Sequence, residues 1–337
     1  GCTGLTSINI PSSVTTIDEH AFYGCTGLTS INIPSSVTTI EEYAFYGCTG
    51  LTSIEIPSSV TSIGNRAFYG CTGLTSINIP SSVTSIGYYA FYGCTGLTSI
   101  NIPSSVTTIE LCAFYGCTGL TSVNIPSSVT SIGNYAFYDC SRLNSVTIDS
   151  DAIVSREYSS TDNISYIFDE QVEEFIIGDN VKAIGGYAFY GCKNLKKVEV
   201  GKRVTTIGKQ AFNECGIALL HLSEGLREIH DLAFEGCKLT EVAIPSTVTS
   251  IGEGAFDCET MKTVTLNSNS VVATNYSEEV SLEDVFGNMV GEYILGTAVK
   301  SIGRYAFAGC TGMRTIVMSE YMDRIRDCAF AGCDELE

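Results

Sequence analysis

The feature that most constrains this chain is a 23-residue repeat that returns almost letter for letter. The segment Leu5–Val14 recurs from Leu28, Leu51, Leu74, Leu97 and Leu120. An Ala-Phe pair marks each repeat, from Ala21-Phe22 to Ala329-Phe330, and it keeps its frame past residue 140, where the repeats diverge. One such repeat cannot bury its own apolar side chains, so the chain is expected to fold by stacking coil on coil.

Within a repeat, the pattern Leu-x-x-Ile-x-Ile predicts a short strand. Side chains alternate along a strand, so Ile8 and Ile10 share one face while Ser7 and Asn9 share the other. Pro11 lacks an amide hydrogen and therefore ends the strand's hydrogen bonding. Fourteen such strands are expected, beginning at residues 5, 28, 51, 74, 97, 120, 143, 172, 195, 217, 239, 261, 290 and 313.

The remainder of the repeat predicts a return path that closes the coil. Val14 and Ile17 are spaced to point inward, and Ala21 with Phe22 fills the last side on a short helical or 3₁₀ turn. The predicted fold is therefore α/β and β-dominated. It is a solenoid of about 14 coils with a parallel sheet on one face and short strands or 3₁₀/helical turns on the return path.

The repeat resembles the BspA-like class of leucine-rich repeats, found in surface proteins of bacteria and some protists. The matching pattern is Ala-Phe-x-Gly-Cys-x-x-Leu-x-x-Ile-x-Ile-Pro-x-x-Val-x-x-Ile-Gly, as in Ala67–Gly87, and it covers essentially the whole chain. The resemblance implies a right-handed leucine-rich-repeat solenoid and an extracellular or cell-surface location. It also implies attachment to host matrix proteins such as fibronectin and fibrinogen, or to neighbouring cells.

The chain is expected to form one solenoid over residues 1–337, with two kinds of repeat. Residues 1–140 hold near-identical 23-residue repeats, and residues 141–337 hold diverged ones with two enlarged 29-residue units near 143–171 and 261–289. Because the chain begins and ends inside a repeat, we expect it to be a fragment of a longer protein.

The two enlarged units are copies of one module. They align without gaps at an offset of 118 residues, so that Tyr158 matches Tyr276 and Phe168 matches Phe286. Each carries a polar excursion, near residues 155–163 and 274–283, in place of the Ala-Phe return path. Loops on a rigid scaffold are common binding elements, and the alternative is that both are tolerated surface insertions.

The formal net charge of −19 limits the classes of partner that the chain is expected to bind. Phosphate binding needs a basic surface, so nucleic acid and anionic membranes are not expected as partners. No stretch of the sequence approaches the length of a membrane-spanning helix. Membrane insertion is therefore not expected in this fragment.

Cysteine is abundant but regular. Thirteen of the 15 cysteines occupy one position of the repeat: 2, 25, 48, 71, 94, 117, 140, 192, 215, 237, 258, 310 and 333. Stacking gives these side chains one direction, which suits neither a tetrahedral metal site nor a disulfide. They are expected to be buried free thiols, whereas Cys112 and Cys328, just before Ala-Phe, are expected to be exposed.

No residue set predicts chemistry. The three histidines are His20, His221 and His230, and no carboxylate, serine or cysteine falls at a spacing that would make a catalytic set with them. Glycine-rich phosphate loops are absent from the sequence. The sequence predicts no enzyme, no cofactor and no metal ligands.

Two surfaces are candidates for binding. The outward strand positions repeat Thr, Ser and Asn through the first six repeats and then diversify, at Lys196, Lys197, Glu199, Leu219, His221, Glu241, Lys262 and Arg314. A tyrosine stripe follows the Ala-Phe pair, at Tyr23, Tyr46, Tyr69, Tyr92, Tyr115, Tyr138 and Tyr190. Stacked tyrosines form an amphipathic surface common in binding sites, or they simply cover the coil edge with half-buried rings.

The resemblance favours a non-catalytic adhesion module that binds a protein ligand on host matrix or on another cell. A structural spacer that presents another domain is the alternative favoured by the near-identity of the first repeats. A polysaccharide-binding surface on the Thr/Ser/Asn face is a third reading, since that face carries many hydroxyls and few large anchors.

Overall fold

The computed structural model describes all 337 residues, and they form two compact units. Unit 1 comprises residues 1–153 and 164–173, and unit 2 comprises residues 154–163 and 174–337. Each unit is a parallel-sheet β-solenoid, and together they contain about 14 turns with few helices. The predicted fold class is confirmed.

Unit 1 contains two series of strands, one on the sheet face and one on the return path. The strands are β1 (Ser7–Asn9), β2 (Thr16–Ile17), β3 (Ser30–Asn32), β4 (Thr39–Ile40), β5 (Ser53–Glu55), β6 (Ser62–Ile63), β7 (Ser76–Asn78), β8 (Ser85–Ile86), β9 (Thr108–Ile109), β10 (Ser122–Ile125), β11 (Ser131–Ile132) and β12 (Ser145–Ile148). In the first enlarged repeat lie two four-residue helices, α1 (Asp151–Val154) and α2 (Ser165–Phe168).

Unit 2 repeats the arrangement. Its strands are β13 (Glu174–Ile177), β14 (Ala183–Ile184), β15 (Lys197–Glu199), β16 (Thr206–Ile207), β17 (Leu219–His221), β18 (Glu228–Ile229), β19 (Glu241–Ile244), β20 (Ser250–Ile251), β21 (Thr263–Leu266), β22 (Glu292–Leu295), β23 (Ser301–Ile302), β24 (Thr315–Val317) and β25 (Arg324–Ile325). The second enlarged repeat carries α3 (Asn269–Val272) and α4 (Glu283–Phe286) between β21 and β22.

The repeat sets the strand register. Ile8 pairs with Ile31 one coil later, and all strand pairs within the units are parallel. In unit 2, Lys197 pairs with Leu219 although that coil is one residue shorter, because the missing residue belongs to a turn. The strands begin two residues after each predicted start. The coil from Leu97 forms only an isolated bridge through Asn101 instead of the expected strand.

A ladder of phenylalanine rings fills the core of each unit. In unit 1 it consists of Phe22, Phe45, Phe68, Phe91, Phe114, Phe137 and Phe168, with centroids 4.9 to 5.3 Å apart. Phe168 belongs to the first enlarged repeat, and Phe286 of the second stacks on Phe256 in the same way at 5.5 Å. The enlarged repeats therefore keep the aromatic core position, which the sequence pattern alone did not indicate.

The Ala-Phe pair lies in a tight turn rather than in the expected helical or 3₁₀ turn. The residue before Ala adopts a left-handed backbone conformation in coil after coil, with φ of 57° at Tyr43 and 53° at Arg66. This conformation costs about 1 kcal/mol for a residue with a side chain. It points the backbone N–H of Tyr43 at the carbonyl oxygen of Asn65 in the next coil, 3.0 Å away.

The in-phase cysteines form a buried file, as predicted for those from Cys25 to Cys310, whereas Cys2 is exposed and Cys333 half-buried. Eight of the buried thiols, those of Cys48, Cys71, Cys94, Cys117, Cys140, Cys215, Cys237 and Cys258, donate to a main-chain carbonyl oxygen of the preceding coil. The Sγ of Cys94, for example, donates to the carbonyl oxygen of Phe68 at 3.2 Å. The thiol thus joins neighbouring coils as well as filling space.

The expectation that Cys112 is exposed is wrong. Its side chain is 7% exposed, whereas Cys328 is exposed as expected. Cys112 shares its place in the coil with Tyr89, 23 residues earlier, and the Tyr89 side chain lies against the thiol. A small side chain next to a large one in the same file is covered by it, so burial raises the pKa of Cys112.

Candidate binding surfaces

On the sheet face of unit 1, the threonine hydroxyls are occupied within the protein. The Thr29 hydroxyl donates to the carbonyl oxygen of Thr6 at 3.1 Å, and Thr52 and Thr75 repeat the bond to the coil before them. These hydroxyls serve coil-to-coil bonding. The polar groups that this face offers to a ligand are therefore mainly the exposed serine and asparagine side chains between them.

On the sheet face of unit 2, the predicted diversified residues begin with an ion-pair cluster. Lys197 Nζ lies 2.8 Å from Glu174 Oε1 on the neighbouring strand β13 and 2.6 Å from Glu199 Oε1 on its own strand. Hydrogen bonds to Glu174 and Glu199 raise the pKa of Lys197. The cluster fixes three side chains that would otherwise be mobile on the surface.

A pocket of about 520 Å³ lies beside this cluster, across strands β15 and β17. Its lining includes Lys197, Glu199, Leu219 and His221, four of the eight residues that the sequence singled out. Leu219 is 59% exposed. The repeat frame predicts an outward side chain for Leu219. In the structure, Leu219 pairs with Lys197 of the neighbouring strand, as that frame requires.

The other four predicted residues lie on the same face but do not line this pocket. Lys196 precedes β15, Glu241 opens β19, Lys262 precedes β21 and Arg314 precedes β24, and all four side chains are exposed. The sheet ladder that contains β17 does not continue into β19, which begins a separate ladder with β21. The pocket therefore lies at the last strand of its ladder.

The tyrosine stripe of unit 1 is a continuous stack. The rings of Tyr23, Tyr46, Tyr69, Tyr92 and Tyr115 follow one another at 4.6 to 4.8 Å with planes within 10°. Tyr138 joins at 5.8 Å, and Tyr190, in unit 2, lies 5.7 Å from Tyr187. Because each ring face covers the next, the stripe presents ring edges and hydroxyls to solvent.

A second file runs beside the tyrosines, at the left-handed turn position. The guanidinium of Arg66 lies between the rings of Tyr43 and Tyr89, 5.3 and 4.8 Å from their centroids, and pairs with Glu42 at 3.2 Å. His20 stacks on Tyr43 at 4.7 Å. The rings and charged groups of this file therefore interact with one another, which fits a role in covering the coil edge.

The polar excursions of the two enlarged repeats form backbone hydrogen bonds with the coil that follows them. The backbone N–H of Tyr158 donates to Gly186 at 3.0 Å, and that of Tyr276 donates to Arg304 at 2.8 Å. The approach is so close that a Cβ on Gly303 would collide with the carbonyl oxygen of Thr274. Burial raises the pKa of Tyr158 and of Tyr276 to about 12.

The second excursion forms walls of two pockets that the sequence analysis missed. Arg304, Arg324 and Arg326 line one of them, and Glu278, Glu279, Glu283 and Asp284 line the other. In the first pocket, Arg324 and Arg326 follow Arg304 by 20 and 22 residues, whereas the four acidic residues of the second pocket belong to one segment. Comparison of the two enlarged modules at their 118-residue offset is the signal that would have exposed the arginines.

The histidines are dispersed. His20 Nδ1 lies 3.2 Å from Glu19, and His230 Nε2 lies 3.6 Å from Glu228. No group of three or more His, Cys, Asp or Glu side chains is arranged to hold a metal ion. No helix has the length and apolar character needed to cross a membrane.

The sequence model of the BspA-type leucine-rich repeat region, which spans six copies, matches residues 1–94, 61–175, 182–286 and 283–337. The chain therefore belongs to the BspA-type leucine-rich repeat family. Leucine-rich repeat proteins are generally non-catalytic, and their fold commonly mediates protein binding. No curated protein matches the chain.

Solved structures of bacterial leucine-rich repeat proteins are similar to this chain. One, from Bacteroides ovatus, is 26% identical over 99% of this chain and 86% of that chain, with a TM-score of 0.47. A leucine-rich cell surface protein from Faecalibacterium prausnitzii is 28% identical over 93% of this chain and 87% of its own, with a TM-score of 0.39. A third, from Eubacterium ventriosum, is 25% identical over 98% of this chain and 85% of that chain, with a TM-score of 0.41.

Proposed function

We propose that this protein is a non-catalytic adhesion module of a bacterial surface or secreted protein, and that it binds a protein ligand through the sheet face of unit 2. The observation that carries the proposal is the pocket beside Leu219, whose side chain is 59% exposed among Lys197, Glu199 and His221. Protein interfaces concentrate binding energy in a few anchors surrounded by polar residues. Leu219 with its charged neighbours has that composition.

The neighbouring charges supply selectivity. Lys197 is held between Glu174 and Glu199, so its position is set before any ligand arrives. His221 and Lys202 also line the pocket and offer ring nitrogens and an ammonium group to a partner. Fixed charges at the edge of an apolar contact discriminate between partners more than they add affinity.

The test is binding of the 337-residue chain to immobilised fibronectin and fibrinogen, with Leu219→Ser and with Val317→Ser as the matched control. Val317 is also an exposed apolar residue of the sheet face, on β24, but lies outside the pocket. Loss of an apolar anchor costs about 2 kcal/mol, so Leu219→Ser should weaken binding by at least about tenfold. Equal affinities of the two variants would contradict the proposed site.

A structural spacer is the second candidate, and unit 1 favours it. The threonine hydroxyls of its sheet face bond to neighbouring coils, and its repeats are nearly identical. On this reading the chain binds none of the matrix proteins. Binding on a glycan array, reduced when Asn32 and Asn78 are changed to Ala, would instead support recognition of a polysaccharide by that face.

A further inference from the structure

A pocket of about 380 Å³ in unit 2 gathers three arginines in a chain whose net charge is −19. Arg304, Arg324 and Arg326 line it, together with Asn275 and Tyr276 of the second excursion. Asp327 is the single carboxylate in the lining. A cluster of like charges is unfavourable by itself, so its occurrence on an acidic protein calls for a partner of opposite sign.

Backbone bonds hold the three arginines in this arrangement. Arg324 lies on β25, which pairs with Ser301 of β23, and the backbone N–H of Arg326 donates to Ile302 at 3.1 Å. The excursion closes over Arg304: its carbonyl oxygen accepts from Tyr276, and its N–H donates to the Asn275 side chain at 3.1 Å. The pocket is thus part of the coil structure.

The first copy of the module serves as an internal comparison. At the 118-residue offset, Arg304, Arg324 and Arg326 replace Gly186, Thr206 and Gly208.

The hydrogen bonds of the two copies match. The N–H of Gly186 donates to Glu157 at 3.1 Å, where that of Arg304 donates to Asn275 at the same distance. Among the positions that line the pocket, the second copy has therefore gained three arginines and lost a carboxylate, and the one opposing change is Lys209 to Asp327. Outside the lining, Thr274 replaces Arg156. The backbone does not require arginine at these positions, because the first copy makes the same bonds without it.

The guanidinium groups keep their hydrogen-bonding capacity for a ligand. Arg304 lies over the ring of Tyr305, 4.8 Å from its centroid, with Nη2 3.4 Å from the Tyr305 hydroxyl. None of the three arginines has a carboxylate oxygen within 4.0 Å, whereas Lys197 lies between Glu174 and Glu199. Guanidinium donors match the geometry of carboxylate, sulfate and phosphate oxygens.

The surroundings limit the size of the ligand. Beyond Tyr305 lies a second pocket lined by Glu278, Glu279, Glu283 and Asp284. Glu278 accepts a hydrogen bond from the Tyr305 hydroxyl at 2.6 Å, so the acidic side chains begin directly beside the arginines. A long polyanion that entered the basic pocket would meet these carboxylates, whereas a ligand with one acidic group would not.

We propose that Arg304, Arg324 and Arg326 form a binding site for a compact oxyanion ligand, namely a carboxylate, sulfate or phosphate group on a molecule about as large as one sugar ring. The volume of the pocket lies within the range of small-molecule sites. The site is independent of the sheet-face pocket beside Leu219, since the two share no residue.

The experiment is titration of the full chain by isothermal calorimetry with sodium sulfate, sodium phosphate and sodium glucuronate, each at about 50 mM and about 300 mM NaCl. Saturable binding of at least one anion is expected, weaker at the higher salt concentration because ions screen exposed charges. The comparison among the three anions identifies the acidic group. Failure of all three to bind would overturn the proposal.

Variants locate the site. R304G/R324T/R326G installs the residues of the first copy, which are compatible with this backbone, and should abolish binding. Each single Arg→Gln change should weaken it by about five- to tenfold. Arg227→Gln removes the same charge at an exposed position outside both pockets and should leave affinity unchanged.

Two further results would contradict the proposal. Wild-type affinity in the triple variant, with an unchanged unfolding midpoint, would overturn the site. Tighter binding of a heparin fragment than of glucuronate or sulfate would overturn the compact ligand.

Discussion

The Sγ of Cys71 donates a hydrogen bond to the carbonyl oxygen of Phe45 in the preceding coil, 3.2 Å away. The same bond recurs at Cys94 and Cys117, so the buried cysteines contribute a donor that alanine could not supply. The carbonyl oxygens that accept these bonds are buried with the thiols. The cysteine file therefore contributes hydrogen bonds between neighbouring coils as well as apolar packing.

Cys71→Ala should destabilise the protein by about 1 to 2 kcal/mol, because it removes a buried sulfur and leaves the Phe45 carbonyl without that donor. Urea unfolding followed by far-UV circular dichroism measures the change. Exposed Cys2 provides the control, since Cys2→Ala should be neutral. If both variants unfold at the same urea concentration, the coil-to-coil bond has no energetic role.

Thiol reactivity should follow burial. Burial raises the pKa of Cys71, Cys94 and Cys112, and the thiolate is the reactive form. Under native conditions near neutral pH, iodoacetamide should modify the exposed Cys2 and Cys328 and spare these three. Peptide mass spectrometry reports each site. Rapid modification of Cys112 would restore the sequence-based expectation that it is exposed.

Glycine substitutions at two left-handed turn residues distinguish the effect of backbone strain on stability from the effect of side-chain packing. Gln210 has φ of 54° and Tyr89 has φ of 56°, and glycine adopts this conformation without penalty. Gln210→Gly should therefore stabilise the protein by about 0.5 to 1 kcal/mol. Tyr89→Gly should destabilise it, because Tyr89 also contacts Arg66 and Tyr92. Thermal unfolding of both variants measures the difference, and equal shifts would refute the packing role of Tyr89.

Alkaline pH should destabilise unit 2 through its buried tyrosines. Burial raises the pKa of Tyr158 and Tyr276 to about 12, from the usual value of 10.0 for a tyrosine phenol. The folded state thus favours the protonated phenol, and this contribution is complete below pH 10 and is lost as pH rises toward 12. Each tyrosine accounts for roughly 2 to 3 kcal/mol over that window.

The double variant Tyr158→Phe, Tyr276→Phe isolates this effect. It should lose less stability than the wild type between about pH 10 and pH 12, although it starts lower because Tyr276 donates a hydrogen bond to Val271 at 3.0 Å. Denaturant unfolding at several pH values measures the slopes. Parallel slopes for the two proteins would show that these phenols ionise alike in the folded and unfolded states.

The sequence determined the coil and its register. Each inward position recurs at a fixed spacing, so Ile8 must face the same core as Ile31, and the outward direction of Leu219 and His221 follows from the same frame. The cysteine file and the tyrosine stripe were predictable for the same reason. Periodicity reports which side of a coil a residue occupies.

Periodicity does not report what a side chain meets across the stack, and that part only the tertiary structure decided. Cys112 is buried because Tyr89 lies against it, and Phe168 enters the aromatic ladder although it stands outside the Ala-Phe pattern. Arg304 and Arg324 converge because their coils are adjacent in space while they are separated in the chain. Such contacts depend on the size and charge of residues about one repeat away, and no local pattern contains that information.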